Sequence, residues 1–375
     1  HSLGECIMSK AAELAALIGS GQAQGSKNLI INGAMNIAQR GTVTSVTNGM
    51  YGGPDRYSIT ENNDLVVTLS QDTDVPTGNG FLNSLKIDVT TADSSLAAGD
   101  YAFLGHKFEG QQLQRLKKGT SNAESVTLSF WVKSTITGTY VIQLYDNDNA
   151  RHISKSYTIS SSNTWEFKTL TFAGDTSGAL DDDNGHSLQV YWWLAGGSDY
   201  TSGTLATSWA SFTAANAAAG QVNAINSTDN NFYLTGVQLE VGDVATAFEH
   251  EDFGTTLYKC QRYFENLTFA NATVITIGQV YSSATDAAGD LRYNVQKRDT
   301  PTIGVPSVGR SSGNINFLNN NAGFVATSDG TVTAVYISID SCMLFGDNYN
   351  AFGAAGDASW LYSYGTNTFT IDAEL

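Results

Sequence analysis

The chain has 375 residues, room for two or three domains or for one large β domain with appendages, and it needs no covalent staples to bury a core. Only 15% of its residues are charged, and 36 acidic against 19 basic side chains leave a formal net charge of -17. That balance repels phosphate and anionic headgroups, which argues against nucleic acid and lipid surfaces as partners.

Three cysteines, Cys6, Cys260 and Cys342, are odd in number and far apart, so they do not form a disulfide framework, and no CxxC pair suggests structural zinc. No apolar run approaches the roughly 18 residues that insertion into a bilayer requires. The stretch "AAELAALIGS" carries an internal glutamate and lacks a basic start, unlike a secretory signal. The residues before Met8 read as a leader or a start-site extension and are set aside from the fold.

In chain order, Ala12, Leu14, Ala15, Leu17 and Ile18 recur at helical spacing, and "GSGQAQGS" then breaks the pattern. Residues 1–27 are therefore expected to be an attachment segment of one short helix on a tether. A helix of about ten residues is marginal alone in water and needs a partner. Asn32-Gly33 between "LII" and "MNIA" predicts a tight β-hairpin, because both turn residues tolerate positive φ.

The runs that follow alternate apolar and polar residues. In "VTLSFWV", Val126, Leu128, Phe130 and Val132 share one face, and Thr127, Ser129 and Trp131 take the other. Similar segments with Gly, Asn and Asp between them arrive at the spacing of a two-sheet β-sandwich over 28–252. At "GTTLYKCQRYFEN" the period changes: Leu257, Cys260, Gln261 and Phe264 predict one short helix. Alternation then returns to the C-terminus, with Asp329-Gly330 as another hairpin signal, so 253–375 is expected to be a smaller β domain with a leading helix. The fold class read from the sequence is all-β.

Signals for chemistry are few. "GRSSG" matches G-x-S-x-G at Ser311, but a strand-like "NINFLNN" follows where a nucleophile elbow requires a helix, so no catalytic residue is assigned. His1, His106, His152, His186 and His250 are scattered and make no metal motif, and no cofactor is expected. The acidic turns "DNDN" (146–149) and "DDDN" (181–184) carry hard oxygen ligands of the kind calcium takes, but neither matches a twelve-residue binding loop, and both read as solvated turns. Glu109, Glu124, Glu240 and Glu249 would make an acid/base pair only if folding brought two of them within about 5–10 Å.

The aromatic residues are the candidate ligand-binding groups. Trp192 and Trp193 fall on opposite faces of one strand, Trp209 and Trp360 lie in polar surroundings, and Tyr362 follows close by. A flat exposed ring stacks on the C–H face of a sugar while neighbouring amides read its hydroxyls. The same rings could equally be buried by a neighbouring subunit.

"NLIINGAMNIAQRGT" (28–42) with "DRY" at Asp55, Arg56 and Tyr57 resembles the opening of a family of bacteriophage tail-fibre and virion proteins. "FYLTGVQLEVGDVATAFEHEDFGTTLYKCQRYFE" (232–265) is similar to that family's hinge, and "IDAEL" to its usual ending. "SVTLSFWVKSTITGTYVIQL" and "TWEFKTLTF" are similar to strands of jelly-roll carbohydrate-binding modules. The resemblance implies a non-enzymatic homotrimer in the virion, attached to other tail or capsid proteins through its N-terminal segment and facing a host-surface glycan or protein. It implies equally a capsid fibre or decoration protein, and less readily a polysaccharide depolymerase. It also implies release by host lysis rather than secretion.

Overall fold

A computed structural model describes residues 27–280, 285–309, 311–319, 330–347, 349, 355 and 357–375. The helix expected at 9–18, Cys6, and Asp329 of the second hairpin signal lie outside these residues. The chain divides into two compact units, His1–Asp252 and Phe253–Leu375.

The first unit is a jelly-roll sandwich. Its strands are β1 (Val43–Val46), β2 (Ser58–Glu61), β3 (Val66–Asp72), β4 (Ser84–Thr91), β5 (Tyr101–Glu109) and β6 (Val126–Ser134), then β7 (Gly138–Asp146), β8 (Arg151–Ile159), β9 (Glu166–Phe172), β10 (His186–Gly196), β11 (Ala210–Ser211) and β12 (Asn231–Val241). They form two 6-stranded antiparallel sheets, ordered β1-β3-β4-β12-β6-β9 and β11-β8-β7-β10-β5-β2. Alternation places Leu128, Phe130 and Val132 of the first sheet against Ile142, Leu144, Val190, Trp192 and Leu194 of the second in one buried core. The outer face of β6 is not all open: Thr127 and Ser129 are buried, and Thr127 Oγ1 donates to Gly242 O at 2.8 Å in the segment that returns over the sheet.

The expected hairpin at Asn32-Gly33 does not form. Asn32 does adopt positive φ (62°), but the flanking runs are irregular and bond elsewhere. The Asn32 amide donates to Ile37 O and Asp55 O at 2.8 and 3.1 Å, and its Oδ1 accepts the Ile37 N–H at 3.0 Å. Asp55 in turn accepts the Gln39 backbone N–H and side-chain amide at 2.8 and 2.6 Å. Asn28 Oδ1 accepts Leu239 N–H and Asn28 Nδ2 donates to Val237 O, each at 3.0 Å, tying the segment to β12. Side chains satisfy backbone groups that a hairpin ladder would have paired, so the motif is a clasp across the sheet.

The second unit opens with a helix, Phe253–Gln261, that buries Thr256 and Cys260. The helical spacing overran its end: Phe264 begins a strand. The strands are β13 (Phe264–Phe269), β14 (Thr273–Val280), β15 (Ala287–Arg292), β16 (Thr302–Gly304), β17 (Ile315–Asn319), β18 (Thr331–Val335), β19 (Ser341–Asp347), β20 (Ala358–Ser363) and β21 (Asn367–Asp372). A 3-stranded sheet, β13-β21-β16, and a 6-stranded sheet, β17-β20-β14-β15-β19-β18, share a core that includes Leu267, Phe317, Leu344, Leu361 and Phe369. Cys260 and Cys342 are both buried. Ser311 sits in a turn ahead of β17, and its Oγ accepts from Asn314 Nδ2 at 2.8 Å.

Candidate functional site

The outer face of the β11-β8-β7-β10-β5-β2 sheet carries a connected run of aromatic rings. Antiparallel register places Tyr51, Ser58, Gly105, Tyr191, Gln143 and Ser154 in one row across successive strands. Paired residues point to the same side of a sheet, so the two tyrosines stand about 14 Å apart, three strand spacings, with only a serine and a glycine between them. The result is a trough. Gly105 is needed at its floor, because a Cβ there would collide with Gln189 Nε2.

Gln189 lies in the next row, between Lys107 and Tyr145. It is 3% exposed, and among the described residues its carboxamide has no hydrogen-bond partner. A nearly buried amide without a protein partner takes one from outside, as water or ligand. Lys107 Nζ lies 6.0 Å from the Tyr51 ring and Arg40 Cζ 5.3 Å from it, which places cations along that wall.

The opposite wall is a chain of rings. Phe103 and Tyr191 stack at 4.1 Å, Tyr145 and Tyr191 lie 6.0 Å apart at 17°, and Phe212 meets Tyr145 edge-on at 5.4 Å. Burial pushes the Tyr191 hydroxyl above the ordinary tyrosine range, with the Tyr145 and Tyr101 hydroxyls adding to the shift. It stays a neutral donor and acceptor. His152 is held below the usual histidine range by burial; its Nδ1 lies 3.0 Å from Gln143 Nε2, and its ring packs on Phe212. The arrangement can grip a flat, polyhydroxylated ligand between ring surfaces and an amide floor.

The tryptophans expected as platforms lie elsewhere. Trp192 points into the sandwich core, fully buried, with Phe130 edge-on at 6.1 Å, so it has no face to offer. Trp193 does point away from that core, but segment 197–222 folds back over it. It is 2% exposed among Phe103, Tyr200, Ala217 and Ala218, and its Nε1 donates to Gln143 Oε1 at 3.0 Å. Both are corrections to the sequence reading, and the cause of the second is a covering loop that alternation cannot reveal. Trp209 is half-buried, donates to Ala173 O at 2.7 Å and has the Lys118 ammonium 5.1 Å from its ring centroid. Trp360 and Tyr362 are half-buried on the outer face of β20, in register with the exposed Ile277 and Val274 of β14. Trp192, Trp193 and Trp209 belong to the first unit, and Trp360 and Tyr362 to the second.

Sequence reading missed Tyr51, Gly105, Tyr145, Gln189 and Tyr191. The usable signal was aromatic residues at the outward positions of alternating strands, as in "LQVYWW", where a half-buried strand ordinarily carries polar ones.

The acidic turn at Asp146 is not solvated. Its carboxylate is buried against Lys118, whose ammonium also lies 3.0 Å from Asp175 and donates to Ser177 O and Gly178 O at 3.0 and 2.8 Å. The chain's own cation thus occupies the oxygen shell. Asp148 and Asp181 to Asp183 are exposed. Among the described residues no group of three or more His, Cys, Asp or Glu has a metal-holding arrangement. All four glutamates considered for acid/base work have identified structural partners. Glu109 accepts from Gln111, Glu124 from Lys117, and Glu240 from Gln238 and Thr246. The fourth, Glu249, accepts the Asn28 backbone N–H.

No protein-family model matches the chain, and no curated protein matches it. Solved structures similar to it include the enzymatically active domain of tailspike protein 4 from bacteriophage CBA120, at 14% identity over 57% of this chain with a TM-score of 0.31. This chain spans 21% of that protein's length. A family 11 carbohydrate-binding module from a Clostridium thermocellum cellulase is similar at 11% identity, covering 56% of this chain and 98% of the module, with a TM-score of 0.28. The module TmCBM61, solved with β-1,4-galactotriose, is similar at 8% identity over 58% of this chain and 99% of its own, with a TM-score of 0.30.

Proposed function

We propose that this chain is a bacteriophage tail-fibre or receptor-binding virion protein that attaches to a glycan on the host surface and does no covalent chemistry. Two things support the reading. The segments 28–42, 55–57 and 232–265 resemble that family, and the trough between Tyr51 and Tyr191 has the shape and polarity of a sugar site. The single observation that carries the binding function is the nearly buried Gln189 carboxamide lying over Gly105, where any Cβ would collide with it. Aromatic walls supply contact area, and the amide together with Lys107 supplies hydroxyl recognition. Weak single-site affinity is enough when several copies on one particle engage together. A homotrimer held to other virion proteins through residues 1–27 would provide that multiplicity.

Affinity electrophoresis through gels containing xylan, laminarin, mannan or lipopolysaccharide tests the proposal. At least one polysaccharide should retard the full chain, and Tyr191→Ala and Gly105→Val should each abolish the retardation at a temperature where circular dichroism shows the variant still folded. If no gel retards the protein, or both variants migrate like the wild type, the trough is not the site. Shortening of the retarding polysaccharide during incubation would overturn binding without chemistry.

A further inference from the structure

The second unit holds a cleft of its own. A cavity of about 780 Å³ is lined by β13, β14 and β15 and includes Thr268, Phe269, Thr276, Asp290, Arg292 and Asn294. That volume is within the range of small-ligand sites, about 300–1,000 Å³. We propose that this cleft is a saccharide subsite for a neutral sugar that presents neighbouring hydroxyls, separate from the trough and standing whether or not the trough binds.

The chemistry of the lining selects the ligand. Asp290 and Arg292 alternate onto one face of β15, with Arg292 Nε 3.0 Å from Asp290 Oδ2, and both side chains are exposed. A guanidinium fork beside a carboxylate donates to one hydroxyl oxygen and accepts from its neighbour, which is the pattern a vicinal diol answers. Because the pair is electrically neutral and the chain carries -17, an anionic ligand gains nothing here.

The floor is fixed from beneath. Glu265 is buried in an ion pair with Lys297 at 2.6 Å, and its other oxygen accepts both the backbone and the side-chain N–H of Asn294. A carboxylate cannot donate, so the Asn294 Nδ2 is the atom turned toward it, and the Oδ1 is turned away as a preset acceptor. The Thr268 hydroxyl, 2.9 Å from that of Thr368, adds a polar group at the rim. Phe269, edge-on to Phe369 at 6.0 Å, supplies the one aromatic surface. Acceptors, a forked donor and a ring thus converge on a polar cavity, as a sugar requires.

Saturation-transfer NMR on the full chain reads this directly, with methyl α-D-mannopyranoside, methyl α-L-rhamnopyranoside and methyl β-D-galactopyranoside as probes. At least one probe should bind, and Arg292→Ala and Asp290→Ala should each weaken it by about tenfold or more, the loss of a charge-assisted hydrogen bond. Tyr191→Ala, which removes a wall of the trough, should leave in place the part of the signal that depends on Arg292 and Asp290. Absence of any signal in the wild type, or a signal that both β15 variants retain, overturns the cleft. A signal removed by Tyr191→Ala alone overturns it too, while upholding the trough.

Discussion

Replacing Lys118 by methionine keeps the length and bulk of the side chain and removes only its charge. In the folded protein the Lys118, Asp146 and Asp175 side chains are 5%, 0% and 3% exposed. Asp175 would keep the Arg151 guanidinium at 2.7 and 3.0 Å. As hydrogen-bond donors Asp146 would keep only the Asn149 backbone N–H and side-chain amide, each at 3.0 Å, with the Arg151 charge acting on it from farther away. A carboxylate stripped of its buried cation costs about 3–5 kcal/mol. For a domain of this size that lowers the melting temperature by roughly 6–20 °C.

Urea unfolding followed by tryptophan fluorescence measures the change in the sandwich, because Trp131, Trp165, Trp192, Trp193 and Trp209 belong to the first unit and only Trp360 to the second. Adding Asp146→Asn to Lys118→Met should restore at least half of the loss, since it removes the uncompensated charge. A single variant within about 1 kcal/mol of the wild type, the range of a solvated surface pair, would refute the account. So would a double variant no more stable than the single one.

His106 is fully buried, and neither ring nitrogen has a hydrogen-bond partner. Burial first, then the Arg56 charge, holds it well below its ordinary value of 6.5. The unfolded chain therefore binds this proton before the folded one does, and stability that is complete above pH 6.5 falls as the pH drops below it. Melting curves between pH 7 and pH 5 should show a smaller decline for His106→Phe than for the wild type, and parallel declines would contradict this. Asn32→Ala should cost about 3 kcal/mol, combining three lost hydrogen bonds with the strain of positive φ at alanine. Asn32→Gly should recover about 1 kcal/mol of that by relieving the strain, and denaturant midpoints compare the two. Asp175 is raised by burial, but its bonds to Arg151 and Lys118 outweigh that and place it below the ordinary carboxylate range. Its contribution is present above about pH 4 and should disappear as acid takes the pH through the folded value, which acid titration of Arg151→Met against the wild type would detect.

Much of the fold was legible because strand pleating is a local property. Val126, Leu128, Phe130 and Val132 share a buried face because they alternate, whatever sheet they join. The turn chemistry at Asn32 was legible in part: positive φ is there, but the pairing it suggested is not, because Asn28, Asn32 and Asp55 offer the backbone side-chain partners that a hairpin signal does not weigh. The helix at 253–261 was visible by period, and its end was not, since Phe264 continues the spacing while entering a strand.

The candidate site was much less legible. Doubled tryptophans drew notice as large flat rings, yet one belongs to the core and the other lies beneath a loop that joins it only in three dimensions. The corner at Asp146 read as a solvated turn because nothing near it in sequence announces Lys118.

By itself, then, the sequence determined an all-β chain with its inward residues identified, since the two-residue period acts between neighbours along one strand. Only the tertiary structure decided which outward residues meet. Tyr51, Ser58, Gly105 and Tyr191 come from four separate segments, and their alignment depends on long-range strand register. Whether a ring on that face stays open or is covered depends on where a distant loop comes to rest.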